Sequence, residues 1–191
     1  MWKGSNPSHM RFFRESSLEQ LPVSIAGIKL GNRLLMLGCS DPMLIAQLAV
    51  KTGLTGRACA VDEDARRTAR AAEVAPREGA LIETTTTPWT SLPFEDAAFD
   101  VAIVRDVFGT IDASSRSGAV AELVRVLRPG GRCLVMDSVA RGGLGGLLAK
   151  KTALAGYDAL RTLETGAFRA VRTVAQRDGL RFVEGVKENS Q

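Results

Sequence analysis

"LLMLGCSDPMLIAQLA" (residues 34–49) decides how this chain folds. An apolar run ends at Gly38, a short polar turn follows, and apolar residues then recur at helical spacing. That is a buried strand feeding a helix. Asp41 is a good helix N-cap, and Pro42 suits the first helical position, where its missing N–H would have no partner anyway. Gly38 ends the strand and permits close backbone approach by a ligand. A pyrophosphate would want free amides and positive dipole at this helix start. Pro42 removes one amide and Asp41 adds a negative charge, so NAD, FAD and ATP are disfavoured. A ligand without phosphate meets no such penalty.

Outward from this unit the pattern repeats. The spacing predicts further strands over 56–62, 79–86, 99–105 and 131–137, with helices over 42–52, 64–75 and 114–127. Ser114 or Ser115 is placed to cap the third helix, and "RPGG" (128–131) to stop it. Strand–helix–strand units with short links make a parallel sheet with right-handed crossovers. "FRAVRTVAQRDGLRFVEGVK" (168–187) breaks the rule, because Asp178-Gly179 is a two-residue hairpin signal between two strand-like runs. Between strand five and the hairpin come Gly142, Gly143, Gly145 and Gly146, then a predicted helix of about five turns. Its stripe of Ala149, Ala153, Gly156, Leu160 and Leu163 either packs on the core, lines a pocket or lies near a membrane surface.

Composition narrows the chemistry. The 191 residues are 45% hydrophobic and 24% charged, the balance of one soluble globular domain. No apolar leader or spanning segment is present, so a cytoplasmic protein is expected. The single histidine, His9, lies in the polar N-terminal arm, which sets aside histidine triads and multi-histidine metal sites. Cys39, Cys59 and Cys133 form no CxxC pair and read as reduced thiols. Net charge is +4, concentrated beyond residue 124, where 12 basic side chains face 6 acidic ones. This is either a solvated surface or attraction for an anionic substrate, an acidic partner or a membrane surface. Aromatic residues are only 5% and do not interleave with the basic ones, so no nucleic-acid partner is expected.

Asp62, 24 residues after Gly38, ends strand two where an acid is placed to bind ribose hydroxyls. Its other reading is a cap for the following helix, and Glu63 and Asp64 compete for both roles. Beyond these, "LPFEDAAFDVAIVRDVFG…VAELVRVLRPGGRCLVMD" (92–137) resembles the middle of class I S-adenosylmethionine-dependent methyltransferases, especially the small-molecule, quinone-biosynthesis type. "GAFRAV" (166–171) and the hairpin resemble the end of that family's domain. The resemblance spans about residues 30–187. It implies an α/β, Rossmann-like doubly wound sheet of seven strands, mostly parallel, with an antiparallel C-terminal hairpin. It divides the chain into an arm and helix over 1–29, a candidate lid carrying Trp2, Phe12 and Phe13, the methyltransferase-like domain over 30–187, and a tail over 188–191.

The same resemblance implies S-adenosylmethionine as cofactor and no metal. Gly38, Cys39 and Ser40 match the loop under its methionine end, and Asp62, with Glu63 beside it, the ribose ligand. Thr87, Pro88 and Trp89 match the adenine-contacting segment; Trp89 either packs on the adenine or fills the core. Arg105, Asp106 and Val107 match the strand-four tip beneath the transferred methyl. The chain departs from the pattern at Met36, Ser40 and Pro42, and Pro88 stands where an adenine-contacting aspartate is common. The implied activity is in-line methyl transfer to a small-molecule acceptor, anionic or lipophilic, with peripheral membrane contact open. Asp106, Asp137 and Tyr157 are the candidate bases, each with capping or loop bonding as the alternative. Arg105 either orients an anionic acceptor or pairs with Asp106. The departures motivate a second expectation, a cofactor-binding or interaction module that has lost catalysis. A nicotinamide oxidoreductase is a third, opposed by Asp41-Pro42 and the terminal hairpin.

Overall fold

The computed structural model describes residues 21–139 and 156–189. His9, Trp2, Phe12, Phe13, the glycines at 142–146 and the first part of the helix expected after them lie outside the described residues. Residues 21–26 are helical. Seven strands form one sheet in the order β3-β2-β1-β4-β5-β7-β6. They are β1 (Arg33–Leu37), β2 (Arg57–Asp62), β3 (Glu83–Thr86), β4 (Phe99–Arg105), β5 (Leu127–Ser138), β6 (Phe168–Arg177) and β7 (Leu180–Lys187). The first five are parallel, and β7 runs antiparallel to both β5 and β6. This is the α/β, Rossmann-like, seven-stranded sheet with a terminal hairpin expected from the sequence.

Alternation along the strands builds two cores. Leu35, Leu37, Val104 and Val135 face one way, onto helix α3 (Ala113–Val126) and the short α4 (Ala159–Glu164). Leu34, Met36, Ile103 and Met136 face the other, onto α1 (Pro42–Thr52) and α2 (Ala65–Val74). Met36, where the family pattern has an acid, is 2% exposed among apolar neighbours, so a thioether suits the place better than a carboxylate.

Local chemistry sets the boundaries. Asp41 caps α1 as expected, its carboxylate accepting the Leu44 N–H at 3.0 Å. The cap of α3 is Asp112, not Ser114 or Ser115. The Asp112 carboxylate accepts both serine N–H groups and both hydroxyls, which holds it below the usual carboxylate range. Strand β3 starts only at Glu83, since a 3-10 turn (Ala75–Glu78) closes on Gly79 in a left-handed conformation. The "RPGG" run ends α3, as expected, yet already lies in β5, which starts at Leu127 with a register shift against β4. Of the expected five-turn helix, the described part is not continuous: Gly156 sits in a turn at φ +84°, and α4 starts only after Asp158, which caps it by accepting the Leu160 N–H. The hairpin turns on Asp178 (φ +56°) and Gly179 (φ +81°), the two positive angles of a primed turn.

Between β1 and β4 the chain order reverses direction across the sheet. In open α/β sheets ligands bind outside the carboxyl ends of the strands at such a point. The loop after Leu37 and the tip of β4 meet there.

Candidate functional site at the strand tips

Gly38 has φ +94°, and a Cβ there would lie 2.4 Å from the Arg105 carbonyl oxygen and 2.9 Å from Val107. The close approach that demands glycine is therefore to the protein's own β4 tip, and it braces two strands at the switch point. Cys39 is buried behind it, with Ser40 exposed. The Cys39 N–H donates to Asp62 Oδ2 at 2.7 Å, and its thiol contacts the Val61 carbonyl. Burial, with Asp62 adding to it, pushes that thiol up to about 12, so it is no nucleophile at neutral pH.

The tip of β2 carries three acids in a row, and each has a distinct task. Asp62 is 1% exposed; Oδ2 accepts from Cys39, Oδ1 accepts the Asp64 N–H at 2.9 Å, and Arg67 lies 3.7 Å away. Asp64 caps α2. Glu63 is exposed, and its Oε1 accepts the Trp89 N–H at 3.2 Å. The side chain of Trp89 is 5% exposed in the core on the α3 side. Thr87 is half-buried, its hydroxyl donating to the Ser91 carbonyl, and Pro88 is exposed beside it. So the structure brings Gly38, Cys39, Ser40, Asp62, Glu63, Thr87 and Pro88 to one edge, with the Trp89 ring turned inward.

A second group gathers at the tips of β4 and β5. Asp106 has φ +52°, a conformation a non-glycine residue seldom takes, and such strain concentrates at functional sites. Its carboxylate accepts the Ser138 N–H at 2.6 Å and the Ser138 hydroxyl at 3.0 Å, tying the two tips together. Asp137, 9% exposed, accepts the Tyr157 hydroxyl at 2.6 Å. Burial, reinforced by the negative charge of Asp106, raises Asp137 to about 6, against the lowering effect of that hydrogen bond and of Arg181 and Arg105. Tyr157 is pushed far above its ordinary value by burial and by Asp137. The Arg116 guanidinium lies 4.9 Å from the Tyr157 ring centre and donates to the Phe108 and Ile111 carbonyls. Ser138 and the Arg116–Tyr157 contact carried no sequence signal: Ser138 lies 32 residues from Asp106, and Arg116 41 residues from Tyr157.

The donor set fits S-adenosylmethionine. The β1–α1 turn offers no phosphate cradle, since Asp41 occupies the Leu44 amide and Pro42 has none. The β2 tip carries acceptors for ribose hydroxyls. On the α1 side of the β4 tip, Arg105 Nη1 lies 3.3 Å from Asp106 Oδ2, the pairing expected as one reading of this arginine, and among the described residues its Nε and Nη1 make no hydrogen bond. Among the described residues no group of His, Cys, Asp and Glu is placed to hold a metal ion, and no helix is long and apolar enough to cross a membrane.

Comparison with known proteins places this geometry. Residues 35–135 match the family model described as "Methyltransferase domain", from mid-β1 into β5. The ubiquinone/menaquinone biosynthesis C-methyltransferase UbiE of Pseudomonas putida is 27% identical over 121 residues, 62% of this chain and 46% of that protein. The chloroplastic 2-phytyl-1,4-beta-naphthoquinone methyltransferase of Arabidopsis thaliana is 30% identical over 123 residues, again 62% and 46%. The chain thus spans about half the length of the curated relatives it matches. A SAM-dependent methyltransferase from Aquifex aeolicus superposes with a TM-score of 0.74 at 19% identity, covering 96% of this chain and 99% of that one. The [4+2]-cyclase SpnF superposes at 0.66 and 18%, covering 91% and 81%, so the fold alone does not fix the reaction. The family match is what narrows it, and it implies S-adenosylmethionine as the cofactor: the chain belongs to the methyltransferase-domain family.

Proposed function

We propose that this protein transfers a methyl group from S-adenosylmethionine to a small-molecule acceptor that gives up a proton. The observation supporting it is the arrangement of the switch-point edge. Within the family-matched stretch the β1 turn and β2 acids stand beside a strained β4 tip, and two residues past its end β5 carries the buried carboxylate of Asp137. When bound, the cofactor supplies an electrophilic methyl on a positively charged sulfur.

The chain's own residues do the rest. Asp62, fixed by two backbone N–H groups, and the exposed Glu63 present acceptors to the ribose hydroxyls. Gly38, Cys39 and Ser40 form the floor beneath the reacting end, and Thr87, Pro88 and the Trp89 backbone border the base. Positioning carries most of the rate, because orienting two bound reactants supplies roughly 7–11 kcal/mol. Asp137 would take the proton that the acceptor atom gives up on methylation. Its raised affinity for a proton, near 6, leaves it ionised at pH 7 and still a competent base. Tyr157 holds it in place. Quinol acceptors, the reduced forms of the quinones in the relatives' names, have the hydroxyl protons and lipophilic bodies such a site would take.

Calorimetry with S-adenosylmethionine and S-adenosylhomocysteine comes first, followed by an acceptor screen using methyl-labelled cofactor. Saturable binding of both, and label moved to a phenolic or quinol acceptor, is the expected result. Absence of binding at millimolar ligand would refute the reading, and binding with no transfer to any acceptor would favour the lapsed module.

A further inference from the structure

The carboxyl ends of β1 and β2 carry the candidate site, and the amino ends of the same strands carry a surface of another kind. Leu30, Leu54 and Leu81 stand just before β1, β2 and β3 begin, so all three lie at the amino edge of the sheet. They are 80%, 93% and 76% exposed, and Val50, in the last turn of α1, is 46% exposed. Only two other large apolar side chains are exposed among the described residues, Met43 and Val174. Val50, Leu54 and Leu81 line one cavity of about 420 Å³. Leu30 packs beside Gly53 on its wall, where a Cβ would lie 2.7 Å from the leucine Cδ2. A lone exposed leucine is ordinary, but four large apolar side chains around one hollow mark a surface that another body covers.

The hollow has room for a small ligand, yet it lacks the convergent polar groups that would orient one. Its polar side chains are already engaged: Thr52 donates to the Ala49 carbonyl, and Arg57 forks onto Glu83. It suits apolar side chains. An anionic lipid surface gains little here, because the rim sets Lys29, Lys51 and Arg57 against Glu78 and Glu83. The chain's basic excess lies elsewhere, beyond residue 124. Strand addition is also poorly served, since β3 is only four residues long. What remains is packing of side chain on side chain, with a protein surface.

Two charges on the rim point to the occupant. Lys51 and Glu78 are exposed, and neither forms an ion pair among the described residues. Lys51 sits in the last turn of α1, on the segment that carries Val50. Glu78 ends the 3-10 turn, next to Gly79 on the segment that carries Leu81. Free charges of opposite sign on the two segments, with leucines projecting beside a hollow, make this face complementary to itself. A two-fold contact needs that property, because the same patch meets its own copy. We propose that this face is an isologous dimer interface, with Leu54 of each chain seated in the other's hollow and Lys51 of each paired with Glu78 of the other. The strand tips, at the opposite edge of the sheet, stay open in such a dimer. This goes beyond the methyl-transfer reading and does not depend on it.

Sedimentation equilibrium from micromolar to millimolar concentration tests it. The wild-type chain should dimerise as concentration rises. Leu54→Glu, at a position too exposed to matter to the core, should weaken the dimer at least about tenfold. Lys51→Glu and Glu78→Lys should each weaken it several-fold by setting like charges against each other. Mixing those two variant chains is the sharpest arm. In the mixed pair both contacts regain opposite signs, so a heterodimer should form more tightly than either variant's own dimer. Lys51 also answers the dipole at the end of α1, but damage to that helix would not be repaired by mixing. Circular dichroism checks that each variant folds. A wild-type chain that stays monomeric throughout overturns the proposal, and co-sedimentation of that monomer with phosphatidylglycerol vesicles would give the face to a lipid surface instead. A dimer indifferent to Leu54→Glu or to either charge reversal, or one that mixing fails to restore, overturns it by placing the contact elsewhere.

Discussion

Asp62 and Asp137 each sit near the end of a buried parallel strand at the same edge of the sheet, and their surroundings differ. Asp62 receives a backbone N–H on each oxygen and has a guanidinium 3.7 Å away. Asp137 receives one phenol hydroxyl, and burial raises it to about 6. A carboxylate tied to two main-chain donors belongs to the framework: it joins the β1 turn to the start of α2. A carboxylate that leans on one side chain in a dry pocket stays ready to exchange a proton. If the proposed function holds, the β2 side of the edge serves fixed placement and the β5 side the proton.

Four substitutions test that contrast, in order of their expected effect on stability. Gly38→Ala strikes the brace beneath both halves. Its methyl would meet the Arg105 carbonyl oxygen at 2.4 Å in a positive-φ conformation, and urea unfolding should show a loss of about 4 kcal/mol. An unchanged midpoint would mean the two tips are not braced there.

Asp62→Ala leaves the Cys39 and Asp64 amides without their acceptor, at a cost of about 3 kcal/mol, and should weaken S-adenosylhomocysteine at least tenfold. Loss of affinity with full stability would place Asp62 on the ligand alone and dissolve the distinction from Asp137.

Asp137→Asn should move stability the other way. Its folded value near 6 lies above the ordinary 3.8, so folding favours the protonated form. That contribution is complete below about pH 4 and lost as pH rises through 6. Asparagine escapes the loss, so the variant's Tm advantage should grow from near zero at pH 4 to a plateau above pH 6, worth about 2 kcal/mol. Turnover should fall by roughly 10²–10⁴-fold with S-adenosylhomocysteine affinity kept, while the wild-type rate climbs with pH through about 6. A flat pH–rate profile with undiminished turnover would remove Asp137 from the chemistry.

Tyr157→Phe has the smallest effect. Its hydrogen bond lowers Asp137, so without it the rate profile should shift to higher pH, with turnover at pH 7 reduced several-fold. An unmoved profile would make Tyr157 a packing residue.

The elements legible in the sequence were those governed by local chemistry. Helix α1 follows from Asp41-Pro42 and the apolar spacing after it, and the hairpin from Asp178-Gly179. Strands β1, β4 and most of β5 follow from unbroken apolar runs. Where neighbouring residues competed for one role, or long-range packing chose between two, the sequence left the outcome open. Asp112 outcompeted Ser114 and Ser115 because one carboxylate accepts from two amides and two hydroxyls together. The tryptophan at 89 had two readings, and packing against the core turned its ring inward. At the site, residue types gave the candidates, but the bonds that separate Asp62 from Asp137 join residues about 20 positions apart or meet amides that no pattern marks.

The sheet has two free rims, and both are blunted. Strand β3 is four residues long, with Glu83 forked onto Arg57 beside it. Strand β6 is longer but carries two register shifts, a positive φ at Ala170, and arginines at 169, 172 and 177. An extended segment from a neighbouring molecule would meet broken ladders and a row of guanidinium groups. Crowded copies of this chain therefore have little means of zipping together through their sheets, and colloidal behaviour should follow charge and salt instead.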